Sequence, residues 1–120
     1  MSEIWPTEIR LKKDRRTLVV TFDNQSSYDL SAEYLRVMSP SAEVQGHSPD
    51  QRQTVGGKKD VEIIKVEPIG TYAVRLTFDD LHDTGIFSWD YLRKLGSEQA
   101  ERWAGYLGEL AEKGLSRERK

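Results

Sequence analysis

The sequence predicts one α+β domain, in which an antiparallel sheet of about five strands carries three helices on one face and at one end. Two pairs of segments alternate apolar and polar residues around turn residues, as β-hairpins do. Serines precede segments of helical periodicity at two places. Strands do not alternate with crossover helices, so a parallel sheet is not expected. A length of 120 residues suits a single hydrophobic core.

The predicted sheet consists of two hairpins and one further short strand. Its segments are Glu8–Lys12, Thr17–Asp23, Val61–Val66, Tyr72–Phe78 and Gly85–Phe87. Lys13–Arg16 forms the turn of the first hairpin. Glu67–Gly70 forms the turn of the second, because proline and glycine stand there as a tight turn requires.

Two of the three predicted helices begin with the same capping arrangement. Ser31 and Ser88 are the expected N-caps. Each has an apolar pair placed as a hydrophobic staple, Leu30 with Leu35 and Phe87 with Leu92. Pro40 and Gly96 are expected to end these two helices.

The third helix is predicted over Ser97–Lys113, with one apolar stripe facing the sheet. That stripe consists of Ala100, Trp103, Ala104, Leu107, Leu110 and Ala111. The largest contributions to the core are expected from Phe22, Leu76, Phe78, Leu92, Trp103 and Leu107. The stretch 39–59 lacks periodicity, and a connection of that length is typical of functional or disordered loops. No internal repeat is recognised.

Charge and composition exclude several classes of protein. The formal net charge of −2 gives no overall field for nucleic acid, and the basic clusters in residues 8–16 and 117–120 are typical of strand edges and chain ends. No apolar run approaches the roughly 20 residues that span a bilayer, and the first ten residues lack a signal peptide. We therefore expect a cytoplasmic protein that binds neither membrane nor nucleic acid. The absence of cysteine excludes thiolate metal sites.

No self-sufficient catalytic set is recognised, which predicts that the protein is not an enzyme. Gly56–Lys59 is similar to a phosphate-binding loop, but Arg52 stands where the first glycine is required, and no serine or threonine follows Lys58. A flexible turn that leads into a strand is the favoured interpretation. Neither histidine has a spacing that would identify it as a catalytic base.

The densest polar cluster is the turn Asp79–Thr84, where three carboxylates surround His82. Imidazole and carboxylate groups are common ligands of divalent metals. The same residue types are also favoured in hairpin turns, where a histidine is usually a polar surface residue. His47, in the long loop, provides a second imidazole. Both interpretations remain open on residue types alone.

Three separated blocks, residues 31–47, 66–74 and 76–92, occur in the same order in a known family. The strongest block reads Phe-Asp-Asp-x-His from residue 78, followed by Gly-Ile-x-Ser-Trp-x-Tyr-Leu from residue 85. The chain resembles the bacterial stand-alone members of the gamma-butyrobetaine-hydroxylase-like N-terminal domain family, a domain of unknown function. The resemblance covers most of residues 7–95. With the C-terminal helix over 97–114, it implies a single domain over residues 1–120.

The resemblance also implies where a metal would lie. In the carnitine-synthesis dioxygenases, this domain precedes the catalytic iron and 2-oxoglutarate domain and holds zinc through three cysteines and one histidine. On this sequence the cysteine positions fall on Ser39, Ser41 and Val44, and the histidine falls on His82. The thiolate site is therefore absent here, whereas its histidine remains. Leu81 stands where relatives usually have glycine.

We predict a weak site for a divalent metal, zinc or iron, formed by His82 and His47 with Asp80 or Asp83. The resemblance places the long loop near the turn that holds His82, so the two histidines are expected to converge. Without thiolates, folding should not depend on the metal. The alternative is that the histidines are hydrogen-bonding residues that hold the loop against the turn.

The function implied by the resemblance is that of a non-catalytic accessory or binding module. The same domain occurs fused to P-loop ATPases that assemble or carry iron–sulfur clusters, so such an ATPase or another metalloenzyme is the expected partner in trans. The alternative is a detached accessory subunit of an iron/2-oxoglutarate-type oxygenase. Arg36, Asp79 and Trp89, which lie in the matching blocks, are the candidate partner-binding residues. The sequence does not indicate the oligomeric state.

Overall fold

The computed structural model describes residues 5–41, 44 and 54–118. The strands of this part are β1 (Pro6–Leu11), β2 (Thr17–Phe22), β3 (Ser27–Ser31), β4 (Ile63–Ile69), β5 (Ala73–Phe78) and β6 (Gly85–Ser88). Its helices are α1 (Ala32–Val37), α2 (Trp89–Ser97) and α3 (Gln99–Glu112). The α+β class and the antiparallel pairing are confirmed. None of these helices is long and apolar enough to span a bilayer.

The prediction of one sheet with about five strands is wrong. The described residues form two three-stranded antiparallel sheets, with strand orders β1-β2-β3 and β4-β5-β6. Strand β3 was not predicted, because serine and aspartate in Ser27–Ser31 are typical of turns although Tyr28 and Leu30 alternate with them. The chain enters α1 directly after β3, so the first sheet ends before the second hairpin begins.

The second hairpin also turns later than expected. Its turn was predicted over Glu67–Gly70, whereas β4 continues to Ile69 and the turn lies at Gly70–Tyr72. Pro68 is compatible with this strand because β4 is at the edge of its sheet, where a missing backbone N–H is tolerated. Gly70, at φ +55°, adopts the left-handed conformation that the turn requires.

Both predicted N-caps are confirmed. Ser31 Oγ accepts a hydrogen bond from Tyr34 N at 3.0 Å, and Ser88 Oγ accepts one from Tyr91 N at 3.1 Å. The members of both predicted staples are fully buried, namely Leu30, Leu35, Phe87 and Leu92. The caps of α1 and α2 and the burial of the staple residues were therefore correctly predicted from the sequence.

The end of α2 and the inner face of α3 differ from the predictions. Helix α2 continues past Gly96 to Ser97, and a Cβ at Gly96 would lie 2.4 Å from the ring of Tyr28. Gly96 is thus required by close packing against β3, and it does not end the helix. In α3, Tyr106 is buried, whereas Leu107 is 40% exposed.

The rotation of α3 has a physical cause. The inner face carries Trp103, Tyr106 and Leu110, and the Tyr106 hydroxyl donates to the Val55 carbonyl at 2.6 Å. Burying the rings of Trp103 and Tyr106 removes more apolar surface from water than burying the alanines of the predicted stripe would. Other members of the predicted stripe are exposed, namely Ala100, Ala104, Leu107 and Ala111.

The chain contains an internal repeat, which the sequence analysis missed. The first half (Trp5–Ser39) and the second half (Glu62–Gly96) each consist of three antiparallel strands followed by a helix. Thr-Phe-Asp occurs at residues 21–23 and 77–79, and Ser-x-x-Tyr-Leu-Arg occurs at residues 31–36 and 88–93. The repeat was missed because the identical residues are few and the second half has one more residue between the two motifs.

The two halves pack against each other through reciprocal contacts. The Tyr34 hydroxyl donates to the Leu95 carbonyl at 2.7 Å, and the Tyr91 hydroxyl donates to the Met38 carbonyl at 2.5 Å. Each repeated tyrosine therefore binds the end of the helix in the other half. One apolar core joins the halves, and its fully buried side chains include Leu18, Phe22, Leu35, Ile63, Leu76, Phe78 and Leu92.

Each half also contains the same turn after its second strand. Phe22 N donates to Ser26 O at 2.8 Å in the first turn, and Phe78 N donates to His82 O at 2.9 Å in the second. The residues with left-handed backbones are Gln25, at φ 73°, and Leu81, at φ 72°. We call Phe22–Ser26 the first-half turn and Phe78–His82 the second-half turn.

Candidate functional site at the second-half turn

His82 lies beneath the second-half turn, in contact with the segment that follows α1. It is 5% exposed, and its Nε2 atom is 2.9 Å from Ser39 Oγ and 3.4 Å from Ser41 Oγ. Ser39 can approach because residue 85 is glycine, since a Cβ at Gly85 would lie 2.4 Å from Ser39 Oγ. The next described residue, Val44, is also buried and donates its backbone N–H to Ser41 O at 3.1 Å.

Asp80 connects this turn to two cations. Its Oδ2 atom is 2.8 Å from Arg36 Nε and 2.5 Å from Lys58 Nζ, and its Oδ1 atom accepts the backbone N–H of His82 at 3.1 Å. Burial raises the pKa of Asp80, but the hydrogen bonds from Lys58, Arg36 and the His82 amide, with the charge of Arg36, outweigh burial and lower the pKa to about 2. Asp80 is therefore a firmly ionised carboxylate.

Arg36 and Lys58 are both largely withdrawn from solvent. Within the described residues, Arg36 Nη1 is buried and has no hydrogen-bond partner. The Arg36 side chain is 12% exposed and that of Lys58 is 22% exposed. Both cations are thus largely shielded from water, which strengthens their attraction to the Asp80 carboxylate.

Leu81 occupies the tip of the same turn and points away from the protein. It is 82% exposed, and its φ of 72° lies in the left-handed region that glycine favours. The turn is closed by Leu81 N donating to Phe78 O at 2.9 Å. An apolar side chain is therefore held in solvent on a backbone that disfavours leucine.

The Ser39–His82 contact has the distance of a nucleophile and its base, but it lacks access. Ser39 is 0% exposed and His82 is 5% exposed. A substrate could reach Ser39 Oγ only if the segment after α1 moved away from the turn. The geometry in the described residues therefore supports a structural hydrogen bond between Ser39 and His82.

Comparison with known proteins places the chain in a family. Residues 9–93 match the family described as gamma-butyrobetaine hydroxylase-like, N-terminal. The chain belongs to this family. The family match covers most of both halves of the repeat and the whole of the second-half turn, and α3 lies beyond it. No curated protein matches the chain.

Solved structures of similar proteins support the fold of this family member. A protein with an NMR solution structure is 48% identical, with a TM-score of 0.84 over 99% of this chain and 94% of its own. A second NMR structure is 45% identical, with a TM-score of 0.83 over 98% of this chain and 88% of its own. The crystal structure of a protein of unknown function from Acidithiobacillus ferrooxidans is 41% identical in sequence, with a TM-score of 0.65. The match covers 78% of this chain and 93% of that protein.

The zinc set of the cysteine-bearing relatives does not fit the residues of this gamma-butyrobetaine-hydroxylase-like domain. Ser39, Ser41 and Val44 provide two hydroxyl groups and a hydrocarbon where three thiolates would be needed. Both hydroxyl groups are within hydrogen-bonding distance of His82 Nε2. The four positions form a buried cluster in which hydrogen bonds stand in place of thiolate ligation.

The residues predicted for the weak metal site are only partly described. His82 lies in the cluster, whereas His47 is outside the described residues. Asp80 is bound to Arg36 and Lys58. In the part of the chain that the structure describes, no group of three or more such side chains is placed to hold a metal ion, so His82 is not joined there by Asp80 and Asp83 in one ligand set. The metal site remains a prediction.

The three candidate partner-binding residues differ in accessibility. Asp79 is exposed, and its Oδ1 atom accepts the backbone N–H of Glu62 at 3.2 Å. Trp89 is half-buried, with its indole N–H donated to Thr71 O at 2.8 Å. Arg36 is mostly buried and directed at Asp80. Of the three, Asp79 lies on the surface that also displays Leu81.

The contribution of Lys58 was not predicted. Gly56–Lys59 was expected to be a flexible turn, whereas Gly57 N donates to Ser116 O at 2.8 Å and Lys59 N donates to Arg117 O at 3.1 Å. These bonds to the C-terminal segment hold Lys58 against Asp80. No local pattern predicted this pairing, because its partners are far apart in the sequence.

Proposed function

We propose that the protein is a non-catalytic binding module that engages a partner protein through the second-half turn, with Leu81 as the apolar anchor. The observation that supports this is the comparison of Leu81 with its counterpart Gln25, which has the same backbone conformation. The turn is thus compatible with a polar residue, and the backbone does not require leucine. An exposed leucine at a strained position, where glycine would relieve the strain, favours a role for its side chain in binding.

The turn is also braced in a way that suits binding. Asp80 fixes it to Arg36 and Lys58, and His82 fixes it to Ser39. A preorganised turn loses little conformational entropy when a partner binds, so most of the contact energy appears as affinity. The buried cluster then serves as a support for the exposed tip.

The proposed partner is a P-loop ATPase of iron–sulfur cluster assembly, or another metalloenzyme, acting in trans. Support for this class comes from the family to which the chain belongs and is an argument by analogy. Asp79 and Asp83 are exposed on either side of Leu81. A complementary partner surface would therefore have an apolar pocket with a basic rim.

The test is calorimetric titration of the purified iron–sulfur ATPase of the same organism into three forms of this protein. We expect Leu81→Gln to weaken binding at least about tenfold relative to the original chain, because a central apolar anchor is lost. Leu81→Gln copies the first-half turn and should preserve the fold. Gln25→Leu is the matched control, which adds an exposed leucine at the equivalent position and should leave the affinity unchanged.

Equal affinities for all three forms would contradict the proposal that the second-half turn is the binding surface. No binding to the ATPase, together with binding to an iron/2-oxoglutarate oxygenase whose turnover rises on addition, would favour the accessory-subunit alternative. Turnover by the purified protein alone would contradict a non-catalytic role.

The weak metal site is a separate proposal and is tested by its own titration. Zinc, iron(II) and manganese are added to the chelator-treated protein beside a His82→Ala variant. Micromolar binding that is lost in the variant would support a site that includes His82. Negligible heat in both would leave His82 as the hydrogen-bonding residue seen beneath the turn.

A further inference from the structure

The first-half turn borders an open cavity. The cavity measures about 460 Å³ and lies between this turn and α2. Its lining includes Asn24, Ser26, Tyr28, the cations Arg93 and Lys94, and the carboxylates Asp90 and Glu98. Tyr28 lies close against α2 because residue 96 is glycine, as described for the fold.

The internal repeat relates this cavity to the Asp80 cluster. Arg36 and Arg93 both stand five residues after the N-cap serine of their helix. Asn24 and Asp80 both stand two residues after the phenylalanine of their turn. Their side chains also form the same local bond, since Asn24 Oδ1 accepts Ser26 N at 3.0 Å and Asp80 Oδ1 accepts His82 N at 3.1 Å.

The two positions differ in one chemical group. In the second-half turn, Asp80 places a carboxylate 2.8 Å from Arg36 Nε. In the first-half turn, the corresponding residue is Asn24, whose neutral amide lines the same cavity as Arg93. The cavity therefore contains the arginine of the pair without the carboxylate that the repeat places opposite it.

Among the described residues, Arg93 makes only a long ion pair with Asp90. Its Nη2 atom is 3.9 Å from Asp90 Oδ1, and the side chains are 44% and 91% exposed. A solvated pair at this distance contributes little and yields readily to a better acceptor. Glu98 also lines the cavity, but its carboxylate is bound to Arg102 at 3.0 Å.

We propose that this cavity is a binding site for a carboxylate group, which takes the position that Asp80 occupies in the other half. Arg93 binds the carboxylate through its guanidinium, and Lys94 adds a second positive charge. The amide of Asn24 and the hydroxyl of Ser26 complete the set of hydrogen-bonding groups. The carboxylate belongs either to a small free acid or to an acidic side chain of another protein.

The test is an NMR titration of the isotope-labelled full chain at constant ionic strength. Glutarate is the small-acid probe, and a blocked peptide of glutamates is the protein-side-chain probe. We expect saturable shifts of the Asn24 side-chain amide, the Arg93 Nε–H and the Ser26 and Gly96 backbone amides. The probe that saturates at the lower concentration identifies the source of the carboxylate.

Asn24→Asp is the decisive variant, because it supplies the missing carboxylate from the chain itself. We expect it to weaken binding of the probe at least about tenfold, with Arg93→Gln as a second variant that removes the recognising group. Both substitutions are at the surface, and melting curves confirm folding. Absence of saturable shifts in the original chain would overturn the proposal, as would unchanged affinity in both variants.

Discussion

The first-half turn and the second-half turn share one backbone and differ in what surrounds it. Each contains a phenylalanine N–H that closes the turn, an Asx side chain that accepts the N–H two residues later, and one residue near φ 72°. Each turn is also hydrogen-bonded to the residue that precedes the first strand of its sheet. Asp23 N donates to Trp5 O and Asp79 N donates to Glu62 O, both at 2.8 Å.

The differences lie entirely in side chains. Asn24 is exposed and lines an open cavity together with Arg93. Asp80 is ionised and is held by Arg36 and Lys58. Ser26 is replaced by the buried His82, and Gln25 by the exposed Leu81. The role of either turn therefore cannot be inferred from its backbone geometry alone. The same frame supports a closed polar cluster in one half and an open cavity in the other.

The largest effect is expected from making the second-half turn like the first. Asp80→Asn preserves the local bond to His82 N but removes the negative charge shared by Arg36 and Lys58. We expect the free energy of unfolding to fall by about 2–3 kcal/mol, because two partly buried cations lose their counter-ion. Urea denaturation measures this loss.

Asn24→Asp is the reciprocal control in the first half. It adds a carboxylate beside Arg93 and should not lower the free energy of unfolding. A loss below about 0.5 kcal/mol in Asp80→Asn would contradict the comparison, because it would mean that water satisfies Arg36 and Lys58 as well as Asp80 does.

The same difference should appear as a pH dependence. The pKa of Asp80 is about 2 in the folded protein against an ordinary value of 3.8, so the unfolded chain binds the proton first as the pH falls. The stability that Asp80 contributes is therefore fully present above about pH 5 and is lost as the pH falls through 4 towards 2. The separation of the two pKa values corresponds to a contribution on the order of 2–3 kcal/mol.

The measurement is the difference in unfolding free energy between the original chain and Asp80→Asn across this range. That difference should be constant near neutrality and shrink below pH 4. Subtracting the variant removes the contribution of the other carboxylates. A difference that stays constant down to pH 2 would show that Asp80 titrates normally.

Local features of the fold were predictable because their causes are local. The caps at Ser31 and Ser88 depend on one side chain and a backbone N–H three residues away, so the sequence specifies them. The division into two sheets depends on which strand edges meet, and no alternation of residues encodes that. The predicted inner face of α3 was wrong because the Tyr106 hydroxyl donates a hydrogen bond to the Val55 carbonyl, which lies in a distant segment of the sequence.

The position of the candidate site in the chain was predictable, but the contacts within it were not. The turn around His82 and the convergence of the segment after α1 followed from the family resemblance, and Ser39 indeed contacts His82. The sequence analysis did not identify Lys58, because its position depends on backbone bonds to the C-terminal segment. The internal repeat was visible in Thr-Phe-Asp and Tyr-Leu-Arg, and aligning those motifs would have paired Arg36 with Arg93.

The smallest effect is expected at the tip of the second-half turn. Leu81→Gly removes a side chain from a left-handed position, which relieves about 1–2 kcal/mol of backbone strain. Glycine also raises the entropy of the unfolded chain, which opposes this gain by about 0.4–1 kcal/mol. We therefore expect a net stabilisation of about 0.5–1 kcal/mol, measured by the urea midpoint. Little is lost from packing because Leu81 is 82% exposed.

Gln25→Gly is the matched substitution in the first-half turn and should give a similar gain, since φ there is 73°. If Leu81→Gly instead destabilises the protein while Gln25→Gly stabilises it, Leu81 makes a folded-state contact and is not a free anchor. If both variants are more stable and only Leu81→Gly loses affinity for the ATPase, the leucine is kept for binding at the expense of stability. That outcome would show that the two turns differ in function although their backbone conformations are the same.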